Sequence, residues 1–186
     1  GHILVQYFSD GVLSMLDSIV KGVISAGSFF TIPQKSVLVK DRRVITGSAD
    51  RNSLWKSRII EGDYNDEQGV VVRQNGTLAK VDLVNGQNTG IFLDMREIRS
   101  GLEEFYSGTG IKSMINLFSY TGIFAAHALQ NGVSHAVNVD LSRGVLKRAR
   151  INYELNGLAV DDRAFLYGDS MEWIKIFAKK GDKVSF

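Results

Sequence analysis

Cysteine is absent from the 186 residues. That excludes a disulfide framework, a thiolate zinc site and a cysteine nucleophile within this chain. Proline occurs once, as Pro33. Histidine occurs three times. His127 and His135 have no partner at metal-ligand spacing, and His2 directly follows Gly1, so no metal site is expected. No apolar run reaches the roughly 18 residues that a bilayer-spanning helix needs. The N-terminus shows no basic region followed by an apolar block, so no signal peptide and a cytoplasmic location are expected. Charge of one sign is also scarce. Lys and Arg number 22 against 20 Asp and Glu, a net charge of +2. That argues against a strongly basic nucleic-acid wrapper but leaves room for a local phosphate-binding patch. What is present is ordinary for a folded domain: 44% apolar and 23% charged residues, enough for a core.

The first half predicts a mixed pattern. Residues 3–8 read as a strand, and Ser9-Asp10-Gly11 starts a helix with Val12, Leu13, Leu16, Ile19, Val20 and Val23 on one stripe. Residues 36–40 read as a strand and 46–53 as a loop. Residues 69–73 and 78–84 predict a hairpin around Asn75-Gly76, a pair that tolerates positive φ at both turn positions. Residues 91–93 predict a further short strand. The second half alternates: helix 94–107, strand 112–118, helix 121–130, strand 134–140, helix 142–155, strand 164–167, helix 170–179 and a strand starting at Val184. Strands and helices joined by short loops mark a parallel α/β sheet. The expected division is a small α+β domain over 1–93 and a Rossmann-like half-domain over 94–186.

The informative stretch is 114–142. A buried strand ends at Asn116-Leu117-Phe118, a turn Ser119-Tyr120-Thr121-Gly122 follows, and a helix begins. The next strand ends in Asp140. Ligands of open α/β sheets bind beyond the carboxyl ends of the strands. A turn there offers free backbone N–H groups, and a carboxylate about 20 residues on can accept both ribose hydroxyls. Asp140 stands close to that distance from Gly122. The dinucleotide fingerprint is missing, and Gly108-Thr109-Gly110 precedes the strand instead of following it. A turn with one glycine suits a nucleoside with an amino-acid tail, such as S-adenosylmethionine. Asp140 could equally be a solvated strand end. Asp169, in Gly168-Asp169-Ser170, could meet an adenine amino group or cap the helix beginning there.

Together these residues resemble a known family. Gly86-Gln87-Asn88-Thr89-Gly90-Ile91-Phe92-Leu93-Asp94-Met95-Arg96-Glu97-Ile98-Arg99 resembles a signature of bacterial S-adenosylmethionine-dependent methyltransferases of the large-subunit ribosomal RNA methyltransferase I type. Residues 116–122, Val139-Asp140-Leu141-Ser142, Asn152 with Asn156-Gly157-Leu158, and Gly168-Asp169 are similar to its later motifs, in order and correctly spaced. Met95 and Asn88 depart from the family's glutamine and lysine.

The resemblance implies a Rossmann-like methyltransferase half-domain preceded by a linker domain, with S-adenosylmethionine as cofactor. The backbone from Phe118 to Tyr120, with Asn116, Thr121 and Gly122, would bracket the methionine moiety. Asp140 would hold the ribose, Leu141 would pack on adenine, and Asp169 with Ser170 would meet its amino group. Residues 86–99 would cover the pocket. The implied partner is RNA, ribosomal RNA in particular, and the implied product of the whole enzyme is 5-methylcytidine. A guanine or protein methyltransferase and a noncatalytic binding module remain alternatives.

The family's Asp-Pro-Pro motif would follow Phe186, so the chain is expected to be a fragment with no catalytic residue of its own. C5 methylation commonly uses a thiolate, which this chain lacks. A half-sheet exposes an edge and an apolar face, so weak stability or a homo-oligomer that covers them is expected. Arg143, Lys147, Arg148 and Arg150 form a basic helix face, solvated or touching RNA phosphates. Trp55 and Trp173 read as packing residues. Asp94 with Glu97 reads as a capping-box-like helix start.

Overall fold

A computed structural model describes residues 1–27, 29, 33–43, 57–65, 67–181 and 185–186. The loop expected over 46–53, Trp55 and Val184 lie outside the described residues. The chain divides into two compact units, Gly1–Val70 with Val81–Thr89 and Val71–Lys80 with Gly90–Phe186.

The first unit is a three-stranded sheet. Strand β1 (His2–Tyr7) pairs in parallel with β2 (Ser36–Asp41), from His2 opposite Ser36 to Tyr7 opposite Asp41. Parallel neighbours need a crossover, and α1 (Leu16–Gly27) supplies it. The stripe predicted from Val12 divides: Asp10–Met15 forms a 3₁₀ turn, and the α-helix starts at Leu16. Leu16 and Val20 then pack on Tyr7, Val37 and Val39, with Ile24 beside them. Strand β2 lies between β1 and β3 (Arg58–Gly62), which runs antiparallel to it. Its central position buries every residue from Ser36 to Lys40. Buried Lys40 directs its ammonium to the Gly86 carbonyl at 3.1 Å.

The second unit carries the hairpin and the parallel sheet. Strands β4 (Val70–Gln74) and β5 (Thr77–Val81) join through Asn75 and Gly76, with φ of 49° and 77°. The expected twin positive-φ turn is therefore formed. Residues 91–93 do not form the expected strand. Leu93–Met95 makes a 3₁₀ turn that leads into α2 (Arg96–Thr109). The capping box is also absent. Met95 occupies the cap position without a side-chain bond, and Glu97 instead lies 3.6 Å from Arg96. The 3₁₀ turn displaces Asp94 from the N-cap.

From there the alternation predicted by sequence is realised: β6 (Ser113–Leu117), α3 (Ile123–Gln130), β7 (His135–Asp140), α4 (Arg143–Leu155), β8 (Phe165–Tyr167) and α5 (Ser170–Lys180). The sheet order is β6-β7-β8, all parallel, with Leu117 opposite Val139 and Asp140 opposite Tyr167. Tyr106, Met114, Ala125, Ala149, Tyr153 and Phe165 belong to its core. The outer edge of β6 receives the last two residues. Ser185 and Phe186 donate to the Ser113 carbonyl at 3.0 and 3.1 Å, and the Phe186 carbonyl accepts from Ile115 N–H at 3.0 Å. Among the described residues no helix is long and apolar enough to cross a membrane.

Candidate functional site

The turn after β6 is strained. Phe118 and Tyr120 both have φ of 51°, and Gly122 has 71°. A side chain in this left-handed region costs about 1–2 kcal/mol per residue. Hydrogen bonds to four neighbouring segments hold the turn in place. Ser119 N–H donates to the Val139 carbonyl at 2.9 Å. Tyr120 N–H donates to Asp140 Oδ2 at 2.9 Å. Thr121 Oγ1 donates to the Gly90 carbonyl at 2.6 Å, and Asn152 Nδ2 donates to the Thr121 carbonyl at 2.9 Å. Phe118 N–H reaches the hydroxyl of buried Ser170 at 3.3 Å.

The tip of β7 thus faces the turn. Asp140 Oδ1 accepts from Ser142 N–H at 2.9 Å, so each carboxylate oxygen receives one backbone donor. Each retains a lone pair for a further donor. Leu141 and Tyr167, 62% and 47% exposed, flank this carboxylate at the ends of β7 and β8. The guanidinium of Arg143 lies over the Tyr167 ring at 3.9 Å. Asp169 caps α5, accepting from Met171 and Glu172 N–H at 2.8 and 3.1 Å.

A cavity of about 430 Å³ lies against the turn. Phe92, Met95, Leu102, Tyr106, Met114 and Phe124 give it an apolar wall, and residues 116–121 complete it. The sequence-predicted residues therefore fall into two groups. Asn116, Phe118, Ser119, Tyr120 and Thr121 line the cavity. Asp140, Leu141, Asp169 and Ser170 form the edge beyond it, joined to the turn by the Tyr120–Asp140 and Phe118–Ser170 bonds. Gly122 lines neither. A Cβ there would lie 2.9 Å from Ala149 Cβ, so glycine lets α3 approach α4.

Asn116 also belongs to a polar chain beneath the site. Its Nδ2 donates to Asn138 Oδ1 at 3.0 Å, and Asn138 Nδ2 donates to Tyr153 Oη at 2.8 Å. Burial pushes the Tyr153 phenol up to about 12. Within the 86–99 segment, Phe92 stacks at 5.1 Å from Tyr120. Arg99, 3% exposed, donates to the Phe92 carbonyl and to Gln74. Burial lowers its affinity for its proton.

Phe92 and Arg99 belong to the 86–99 segment expected to cover the pocket, and Asn152 to a motif of the resemblance, but none of the three had a role assigned. Tyr167 was missed altogether; its only signal is an aromatic at a strand tip. Other candidates serve the fold. His127 is buried and bonds to Thr77 Oγ1 and the Arg99 carbonyl. No cluster of metal-ligating side chains occurs among the described residues. Trp173 donates to the Tyr167 carbonyl and packs on Phe177. The basic face is partly engaged, since Arg150 pairs with Asp162 and lies over Phe165.

These residues fit a nucleoside with a polar tail. Ser119 Oγ is buried with no hydrogen-bond partner among the described residues, a state that costs about 1–3 kcal/mol unless a partner is supplied. The strand-tip carboxylate retains acceptor capacity for hydroxyls, and exposed apolar surface lies on either side.

A parallel sheet flanked by helices, with a strained turn that faces a carboxylate at the tip of the next strand, defines a Rossmann-like fold. The chain belongs to the S-adenosylmethionine-dependent methyltransferase family, whose model matches residues 25–183. It is 38% identical over 200 residues to ribosomal RNA large subunit methyltransferase I of Aeromonas salmonicida, covering 98% of this chain and 49% of that protein. It is 37% identical to the Aeromonas hydrophila protein of the same name, over 69% of this chain and 32% of that one. The chain spans about half or less of the length of these relatives. Among solved structures, a Streptococcus mutans protein described as a SAM-dependent methyltransferase superposes with a TM-score of 0.79 at 23% identity, over 97% of this chain and 43% of that one. The SAM-dependent methyltransferase of Agrobacterium tumefaciens gives 0.64 at 18% identity, over 81% and 44%. At these identities the likeness is one of fold.

Proposed function

We propose that this chain is the cofactor-binding part of an S-adenosylmethionine-dependent methyltransferase acting on RNA, ribosomal RNA in particular, in the cytoplasm. Residues 1–93 are its linker segment and 94–186 the first half of its methyltransferase domain. The observation that carries the reading is the bond from Tyr120 N–H to Asp140 Oδ2 at 2.9 Å, which brings the turn and the strand-tip acid together.

Asp140 accepts the two ribose hydroxyls on the lone pairs left by Tyr120 and Ser142. Leu141 and Tyr167 exclude water from the adenine. Asp169 and Ser170 face its amino group. Ser119 Oγ holds the amino-acid tail against the turn from Phe118 to Thr121, with Asn116 and Gly122 supporting it. The N–H groups of Phe118, Ser119 and Tyr120 are not the free donors expected from sequence, because they donate to Ser170, Val139 and Asp140. S-adenosylmethionine, when bound, supplies an electrophilic methyl group on a sulfonium. The chain's own contribution is alignment in a pocket walled by Phe92, Phe118 and Tyr120. The names of the relatives support ribosomal RNA as substrate; 5-methylcytidine as product rests on the motif resemblance alone. We assign no catalytic residue, because no thiolate is available to activate a cytosine.

Calorimetry with S-adenosylhomocysteine tests this. Micromolar binding is expected. Asp140→Ala removes two hydroxyl bonds to a charged group, each worth about 1.5–3 kcal/mol, so a loss of at least about 100-fold is expected. A folded protein that binds nothing, or an Asp140→Ala variant of unchanged affinity, overturns the reading.

A further inference from the structure

Helix α4 presents two carboxamides four residues apart on one face, Asn152 and Asn156. Both hold strand β5, but only one of them also holds the turn. Asn156 Oδ1 accepts from Leu78 N–H at 2.8 Å, and its Nδ2 donates to the Leu78 carbonyl at 2.7 Å. Asn152 Oδ1 accepts from Lys80 N–H at 2.8 Å, while its Nδ2 donates to the Thr121 carbonyl at 2.9 Å. Asn152 is completely buried. Thr121 is also almost completely buried, so its carbonyl has no water to fall back on, and the carboxamide satisfies it together with Lys80 N–H.

The position of that carbonyl matters. It follows directly on Tyr120, a non-glycine residue at φ 51° whose N–H points at Asp140. A strained backbone persists only where its surroundings over-determine it. Thr121 is fixed on its other side by the bond from its hydroxyl to the Gly90 carbonyl. We infer that Asn152 is a positioning residue for the cofactor turn. By fixing the Thr121 carbonyl it keeps Tyr120 N–H directed at the strand-tip carboxylate, and it links the order of the turn to hairpin β4–β5. The consequence for ligand binding rests on the cofactor reading above; the ordering of the turn does not.

The test compares Asn152→Ala with Asn156→Ala in the full chain. Both lose hairpin bonds, and only the first loses the turn bond, so Asn156→Ala measures the merely structural effect. In ligand-free protein, amide hydrogen exchange at Tyr120 and Gly122 should quicken about 10-fold or more in Asn152→Ala, the order expected for one lost buried hydrogen bond. In Asn156→Ala it should stay within about 2-fold of wild type. Affinity for S-adenosylhomocysteine should fall about 10-fold in Asn152→Ala alone. Equal exchange in the two variants overturns the inference, whatever the ligand does. If wild type binds no S-adenosylhomocysteine while the exchange difference persists, the cofactor reading fails and the positioning role stands. If Asn152→Ala does not fold, the wild type is measured for scalar coupling through the bond from Asn152 Nδ2 to the Thr121 carbonyl carbon. Its absence overturns the inference and its presence supports it.

Discussion

Replacing Gly122 by alanine separates two costs that usually come together. The first is conformational. Gly122 has φ of 71°, where an L side chain costs about 1–2 kcal/mol, offset by about 0.4–1 kcal/mol from the stiffer unfolded chain. The second is packing. The new Cβ would lie 2.9 Å from Ala149 Cβ and 3.4 Å from Asn138 Oδ1. Ala149 is fully buried in the core, so α3 and α4 must move apart. Overpacking of that kind costs about 1–3 kcal/mol. The sum is a destabilisation of about 2–4 kcal/mol. Gly110 is the control: its φ is 68°, and nothing lies within 4 Å of the Cβ position. Gly110→Ala should carry the conformational cost alone. Urea denaturation followed by circular dichroism gives both values, provided the slopes stay equal. If the two variants lose the same stability, close helix packing is not why glycine stands at position 122.

Two further outcomes are expected. Asp169→Ala should lose about 1 kcal/mol through the missing cap on α5, whereas Asp169→Asn should keep most of that stability; equal thermal midpoints for wild type and alanine variant would remove the capping role. The Arg43 guanidinium holds the Asp41 carboxyl at about 2 against an ordinary 3.8. A depressed folded pKa stabilises above the unfolded value and is lost as pH falls through the folded one, so wild type should lose about 1–2 kcal/mol between pH 4 and 2, discounted for a side chain 29% exposed. Asp41→Asn should flatten that part of the thermal-midpoint profile, and an unchanged slope would refute the coupling.

The parallel sheet was legible because strands and helices alternate with short loops and α2, α4 and α5 are amphipathic, while α3, apolar nearly all round, falls between two readable strands. Strand β3 was not. Arg58–Gly62 is exposed at all five positions, so it carries no alternation to read. The start of α2 misled for a different reason. Asp94 and Glu97 have capping-box spacing, but a 3₁₀ turn inserted before the helix moves the cap to Met95. At the site, Asp140 and the 116–122 turn could be placed because topology alone puts strand ends and their turns at one edge. Asn152 could not. A carboxamide within a helix reads as solvent-facing, and only the packing of β5 and the turn against α4 makes it buried and bonded at both ends. His127 is the same case, since its partners Thr77 and Arg99 are 50 and 28 residues away.

The glycine-poor turn follows from the same physics. A glycine-rich loop reaches the left-handed region freely because nothing is attached to its α-carbons. Here Phe118 and Tyr120 reach it at a cost, and the bonds from Asp140, Ser170, Asn152 and Gly90 offset that cost through side chains and backbone outside the turn. In return, the turn carries side chains where glycine would leave none. Phe118 is 67% exposed on the cavity rim, and Tyr120 stacks on Phe92. A phosphate would gain nothing from such rings, because it needs bare N–H groups and close backbone approach. An apolar thioether chain gains a wall. The strain at 118 and 120 and the exposed aromatic at 118 are therefore one feature, and relieving the strain with glycine would remove the aromatic surface on which the proposed cofactor site relies.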